Sequence, residues 1–168
     1  MIRRATINDI PQIMSIVADA QLSLRELGID QWQDGYPTQA VIESDIVAEA
    51  GYVYCIDDMV VGYAALVLTG EDAYLQIPDA EWGTTNDYIV VHRICVRRDY
   101  TKRGIAISIV NYASQMARKR GLTGFRIDTH RGNIRMLALL KKLGFVYRGI
   151  IHYDSGERLA YDLKLNKN

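Results

Sequence analysis

The sequence predicts one mixed α/β layer with helices on its faces, formed by a single domain over residues 1–168. Three observations predict it. The chain has 168 residues, of which 49% are hydrophobic, enough for one sizeable core without a disulfide or metal staple. Its apolar period switches between the values of strand and helix in the order β-α-α-β-β-β-α-β-α-β-β, seven strands and four helices. No repeat, low-complexity segment or linker interrupts that order.

Ile2-Arg3-Arg4-Ala5-Thr6 reads as a short first strand. Asn8-Asp9-Ile10-Pro11 then carries an N-cap candidate, an acidic first turn and an early proline, which start a helix. Ile10, Ile13, Met14, Val17, Ala20 and Leu24 repeat at helical spacing to about Leu27, with Gln21 the one polar residue on that face, and Gly28 ends the run. Gln31-Trp32-Gln33-Asp34-Gly35-Tyr36-Pro37 is turn-rich yet aromatic, a lid or a packed loop, and Thr38 caps a second helix to about Ala50.

From Tyr52 the period becomes two. Tyr52–Ile56, the turn Asp57-Asp58 and Met59–Val67 form an antiparallel hairpin. Gly70–Asp87 is polar, with Pro78, Gly83 and an isolated Trp82, and reads as a long surface excursion. Tyr88–Val96 is the strongest strand. A helix from Gly104 to Arg120, closed by Gly121, a strand Phe125–Thr129, a helix Asn133–Leu143, closed by Gly144, and strands Phe145–Ile151 and Leu159–Leu165 complete the chain.

Twenty Lys and Arg balance twenty Asp and Glu, for a formal net charge of zero. That balance provides no global field toward nucleic acid or anionic lipid, so a basic nucleic-acid module is disfavoured. Apolar stretches are strand-sized, and Asp9 and Pro11 stand where a signal peptide would need its apolar core. The expectation is a cytoplasmic protein with no membrane partner. Cys55 and Cys95, forty residues apart in apolar runs, have neither disulfide-framework nor zinc-ligand spacing and read as buried thiols. His130 and His152 sit near strand ends without metal-ligand spacing, so no metal is expected.

The chemistry concentrates in Ile94-Cys95-Val96-Arg97-Arg98-Asp99-Tyr100-Thr101-Lys102-Arg103-Gly104-Ile105-Ala106. A buried strand ends, a basic turn follows, and a helix begins with no bulky side chain at Gly104 or Ala106. The backbone N–H groups of its first turn therefore have room to approach a phosphate. Lys102 and Arg103 add charge, and Ile105 and Ile107 anchor the helix below the loop. Alone, the same short pattern also fits a plain helix start.

This segment resembles the acetyl-CoA signature of the GCN5-related N-acetyltransferases (GNAT), Arg/Gln-x-x-Gly-x-Gly/Ala after a strand, with Thr101–Ala106 in its frame. Asn133, followed eleven positions later by Gly144-Phe145 with Leu143 before them, resembles the family's Asn…Leu-Gly-Phe ending. The likeness runs from the Arg3-Ala5-Thr6…Asp9-Ile10 opening to the last strands. It implies a mixed, mostly antiparallel sheet of about seven strands with about four helices and a splayed gap between the fourth and fifth strands. It further implies acetyl-CoA as cosubstrate, its pantetheine arm along Ile94, Cys95 and Val96, its pyrophosphate on Lys102, Arg103, Gly104, Ile105, Ala106 and Ile107, and Asn133 beside the arm. The implied reaction is direct acetyl transfer to a primary amine of a small molecule or peptide. A homodimer is an open assembly state.

Three positions depart from the family pattern. Thr101 replaces the usual Arg or Gln, although backbone amides supply most of the contact in such loops. Leu140 stands where many members place a tyrosine that protonates the departing thiolate. Val90 stands where histone-directed members carry a glutamate base. An amine of pKa about 10.4 must lose a proton before it attacks a thioester, so a base is needed. His92 and Asp128 are the candidates. His92 otherwise reads as a satisfied core histidine, and Asp128 as the partner of Arg126 or Arg148. Period-two alternation places Cys95 on the face opposite His92, which disfavours an acyl-cysteine route. The alternative function is a catalytically degenerate acyl-CoA-binding or sensing module, which Thr101 and Leu140 favour.

Overall fold

β1 (Ile2–Arg4) is held to β2 (Gly51–Ile56) by antiparallel pairing, Ile2↔Tyr54 to Arg4↔Tyr52. Asp9 occupies the N-cap of α1 (Ile10–Glu26), and Pro11 lies in the first turn, as the sequence predicts. Its carboxylate, however, turns away from the helix, accepting from Arg3 Nη1 and Nη2 and from Thr6 N, each at 2.8 Å. Gly28, at φ 71°, closes α1 by donating to Arg25 O at 2.9 Å. The computed structural model describes residues 1–68 and 70–166.

α2 (Gln39–Val47) begins at Thr38, whose Oγ1 accepts from Val41 N at 3.4 Å. β2 and β3 (Met59–Val67) form the predicted hairpin, with Asp57 at φ 50° in its turn. The sheet has seven strands in the order β1-β2-β3-β4-β5-β7-β6, with β4 spanning Tyr88–Val96, β5 Gly124–Thr129, β6 Val146–Tyr153 and β7 Gly156–Lys164. α3 (Ile105–Lys119) and α4 (Ile134–Lys142) complete the four helices.

Two compact units divide the chain. The first comprises Met1–Leu66 and Val91–Tyr112. Its core joins Ile10, Ile13, Ile16 and Val17 of α1 and Ile42 of α2 to Val53 and Cys55 of β2, Val60 and Tyr63 of β3 and Cys95 of β4. Each such aliphatic side chain contributes about 1.5–3 kcal/mol on burial. On the other face α3 lies directly on β3: a Cβ at Gly62 would stand 3.0 Å from Ile105 Cγ2 and 3.3 Å from Ile109 Cδ1. Glycine at position 62 thus sets the height of the α3 start above the sheet.

The Gln31–Pro37 stretch is packed. Gln21, the polar residue on the inner face of α1, donates to Tyr36 O at 3.0 Å, and Gln33 Nε2 donates to Gln21 O at 2.9 Å. Trp32 packs against the same core.

The second unit comprises Val67–Val90 and the chain from Ala113 on. Here the first residues of β4 pair in parallel with β5, Tyr88↔Gly124 to Val90↔Arg126. β5 pairs along its length with β7, which forms a hairpin with β6. The stretch after β3 corrects the expected surface excursion. It forms 3₁₀ turns at Asp72–Gln76 and Asp79–Glu81, and Tyr74, Ile77, Trp82 and Thr84 are buried, three of them in a cluster with Tyr88, Val90, Ile151 and Ala160.

The reason is Arg126, only 2% exposed. Its guanidinium carbon lies 4.1 Å from the Trp82 ring centroid and 3.9 Å from that of Tyr88, and it donates to Thr84 Oγ1 at 3.1 Å and Thr84 O at 3.0 Å. A segment whose own composition is polar is drawn inward because it covers a cation of the neighbouring strand.

Candidate functional site

The turn between β4 and α3 is built on polar ties to its own unit. Arg97 N donates to Val61 O at 2.9 Å, Arg98 N to Asp19 Oδ2 at 3.1 Å, and Arg98 Nη2 to Glu26 Oε1 at 3.0 Å. Arg98 therefore fastens the turn to α1, while Lys102 and Arg103 stay exposed, the latter 4.7 Å over the Tyr100 ring. Thr101 Oγ1 donates to Arg98 O at 2.9 Å, which gives the residue in place of a long side chain a turn-closing role.

Lys102 and Gly104 are left-handed, at φ 62° and 79°, and a Cβ at Gly104 would meet nothing within 4 Å. The ground above the helix start is open. The first intrahelical bond runs from Ser108 N to Gly104 O at 2.9 Å, so the N–H groups of Ile105, Ala106 and Ile107 precede the helical ladder. Left-handed backbone, open approach and first-turn amides fit a pyrophosphate. Ile105 is buried as expected. Ile107 is only half-buried, and Ile109 is the second anchor, because residues four apart share a helix face.

Ile94 and Val96 are half-buried and Cys95 is buried. Burial pushes the Cys95 thiol up to about 12. Between His92 and Ile94 the strand is irregular: Arg93 is left-handed at φ 54°. Alternation of faces does not carry across such a residue, which corrects the argument that set Cys95 opposite His92. Arg93, at the kink, and Cys95, two residues after it, both meet the α1–α2 side, Arg93 through Asp45 of α2.

That contact is part of a network absent from the sequence reading. Arg93 Nε and Nη2 donate to Asp45 Oδ2 and Oδ1 at 2.8 and 2.6 Å, and Nη1 donates to Tyr36 Oη at 2.8 Å. Tyr63 Oη donates to Asp45 Oδ2 at 2.6 Å, and burial with that carboxylate raises the Tyr63 hydroxyl well above the ordinary phenol range. Its signal was legible, a charged residue inside an apolar strand. Arg126 in β5, 2% exposed, is likewise a charged residue among apolar strand neighbours.

In the second unit Asp128 of β5 accepts from Tyr74 Oη at 3.0 Å and Tyr153 Oη at 3.1 Å, both on Oδ2. Burial first, and then the Asp128 charge, raise both phenols above their ordinary range. The two arginines considered as its partners have other contacts. Arg126 lies on Thr84 and the rings, and Arg148 donates to Asp162 at 2.7 Å. Past β5, His130 Nδ1 accepts from Gly132 N at 3.0 Å, and Asn133 N donates to His130 O at 2.9 Å. Asn133 is the N-cap of α4, its Oδ1 accepting from Met136 N at 3.2 Å, so its carboxamide oxygen serves the helix.

Leu140 is 0% exposed. His92 is half-buried, and His152 is exposed, 3.8 Å from Glu157. Among the described residues no group of three or more His, Cys, Asp or Glu side chains is placed to hold a metal ion, and no helix is long and apolar enough to cross a membrane.

Comparison with known proteins gives a consistent result. Residues 18–145 match the acetyltransferase (GNAT) family. A crystal structure of a GNAT-family acetyltransferase from Streptococcus agalactiae is 34% identical, with a TM-score of 0.88 over 100% of this chain and 96% of that one. The PaiA N-acetyltransferase of Thermoplasma acidophilum, solved in complex with coenzyme A, shares the fold at 16% identity, with a TM-score of 0.71 over 98% of each chain. The streptothricin acetyltransferase of Escherichia coli is 33% identical over 67 residues, 40% of this chain and 38% of that protein, so the match spans well under two thirds of that relative.

Proposed function

The chain belongs to the GNAT acetyltransferase family, and from that premise we propose that it moves an acetyl group from acetyl-CoA to a primary amine of a small molecule or peptide by direct transfer. The observation that carries the reading is the open, left-handed Gly104 just before α3, at the end of the turn that follows the irregular strand β4.

Acetyl-CoA supplies the activated acyl group. This chain supplies phosphate-binding amides at Ile105, Ala106 and Ile107 with the charges of Lys102 and Arg103 beside them, and the peptide groups of Ile94, Cys95 and Val96 for an extended arm. Family likeness assigns the amide end of Asn133 to the same arm.

The incoming ammonium must give up a proton before it attacks, and His92 and Asp128 are the two groups proposed to take it, directly or through a water. Two phenol hydrogen bonds hold Asp128 in one orientation, which suits a fixed acceptor of protons or of an ammonium charge. Burial keeps Cys95 a thiol at neutral pH, which supports direct transfer over an acyl-cysteine route.

Incubation with acetyl-CoA and a panel of L-lysine, spermidine, an alanyl peptide and streptothricin, followed by free-CoA detection, tests the proposal. The name of the E. coli relative places streptothricin in the panel. Release of CoA with an N-acetylated product is expected. Coenzyme binding without product from any amine would favour the acyl-CoA-binding module instead.

A further inference from the structure

Arg93 is the single residue of β4 that combines three features: a left-handed backbone, a bidentate ion pair, and a contact with a loop distant in sequence. A non-glycine residue adopts φ 54° in a strand only where its surroundings hold it there. Asp45 of α2 takes two of its guanidinium N–H groups, and the Tyr63 hydroxyl completes that carboxylate from β3. The third arm reaches the Tyr36 hydroxyl, which lies in a loop itself fastened to α1 by Gln21 and Gln33. One side chain thus joins the kink in β4 to α2, β3 and the α1–α2 loop within the first unit.

The kink stands between His92 and the Ile94–Val96 backbone, so whatever fixes it fixes the direction of the following peptide groups. We propose that Arg93 is a positioning residue for acetyl transfer: through Asp45 and Tyr36 it holds β4 kinked and sets the α1–α2 loop against that kink. The inference rests on the acetyltransferase reading for its consequence, and on the network alone for its mechanism. Lysine at position 93 keeps the charge and loses the fork that grips Asp45 and Tyr36 together.

The test compares wild type, Arg93→Lys and Tyr36→Phe, using acetyl-CoA and whichever of L-lysine, spermidine, the alanyl peptide and streptothricin the wild type acetylates fastest. In folded Arg93→Lys, kcat falls by about tenfold or more while the KM for acetyl-CoA stays within about threefold, the split expected when geometry and not binding is lost. Tyr36→Phe removes only the loop contact, raising the acceptor KM about threefold or more with little change in kcat. Hydrogen exchange of the Ile94–Val96 amides, measured without any acceptor, quickens by about tenfold or more in Arg93→Lys. Unchanged exchange at these amides overturns the proposal, as does a kcat in folded Arg93→Lys within about twofold of wild type. If the wild type acetylates no amine, the acetyltransferase reading fails by itself, and the exchange result still decides whether Arg93 holds the kink.

Discussion

Tyr74 donates its phenol hydrogen to Asp128 across 3.0 Å, a bond between a residue of the polar stretch after β3 and the candidate base on β5, 54 positions apart. The tyrosine is fully buried and also stacks on Trp82 and Tyr88, at ring-centroid distances of 5.4 and 6.2 Å. Aromatic packing thus fixes where the hydroxyl is, and the hydroxyl fixes the carboxylate. Tyr74→Phe keeps the ring and removes the donor. It is expected to cost about 1 kcal/mol, roughly 2–4 °C in Tm at this chain length, and to lower turnover less than loss of Asp128 itself. Thermal unfolding and steady-state rates check both parts, and a Tyr74→Phe rate below that of Asp128→Asn would contradict the assigned order.

Gly104→Glu tests the proposed coenzyme loop. The position is exposed and left-handed, with open space where a Cβ would stand, so the added side chain projects into the ground assigned to the pyrophosphate. Acetyl-CoA at a hundred times its Kd stabilises a native-state binder by about 2.7 kcal/mol. Wild type is expected to show the corresponding rise in Tm, and folded Gly104→Glu to show none. A full coenzyme-induced rise in that variant would move the phosphate site elsewhere.

For the base, His92→Gln and Asp128→Asn keep size and some hydrogen bonding. Loss of the acting base is expected to reduce kcat by about a hundredfold or more with coenzyme affinity nearly unchanged. Rate profiles over pH distinguish the two, and near-native rates in both variants would leave the proton to a water chain.

Leu140→Tyr is expected to lower stability and not to raise turnover. Leu140 is completely buried, and adding a phenol to a filled core costs about 1–3 kcal/mol. A thiolate leaving group of pKa about 8.5 departs at neutral pH without an acid, so the position needs no phenol. A variant of wild-type stability with about tenfold higher turnover would show that leaving-group protonation limits the reaction and that the core yields at this point.

Arg3, with help from Thr6, holds the Asp9 carboxyl down from 3.8 to about 2. A depressed folded-state value means stabilisation that is complete above the unfolded value of 3.8 and lost as pH falls through about 2. The difference corresponds to about 2 kcal/mol, reduced by solvent screening to about 1 because Arg3 is partly exposed. Urea midpoints at pH 5 and below pH 3 should therefore converge between wild type and Asp9→Asn as the solution is acidified. A constant gap between the two proteins would place the pair's contribution elsewhere.

The element order, the hairpin at Asp57-Asp58, the cap at Thr38, the full extent of Tyr88–Val96 and the helix start after Gly104 were all legible in the sequence. Each is decided locally, by side-chain period, a capping hydroxyl, or a residue that tolerates positive φ, and local rules need no knowledge of what lies across the sheet. The paired Gly104–Ala106 and Asn133…Gly144-Phe145 patterns made the family legible for the same reason, since each is written in residues close together in the chain. The inward turn of the Gly70–Asp87 stretch was not, because its cause is Arg126 on another strand. The kink at Arg93 was hidden too, since an alternating pattern reads straight through a left-handed residue and only Asp45, Tyr63 and Tyr36 reveal it. Arg93 finds Asp45 48 residues back and Arg126 finds Thr84 42 residues back, and such distant partners are chosen by packing and desolvation after the sheet has formed.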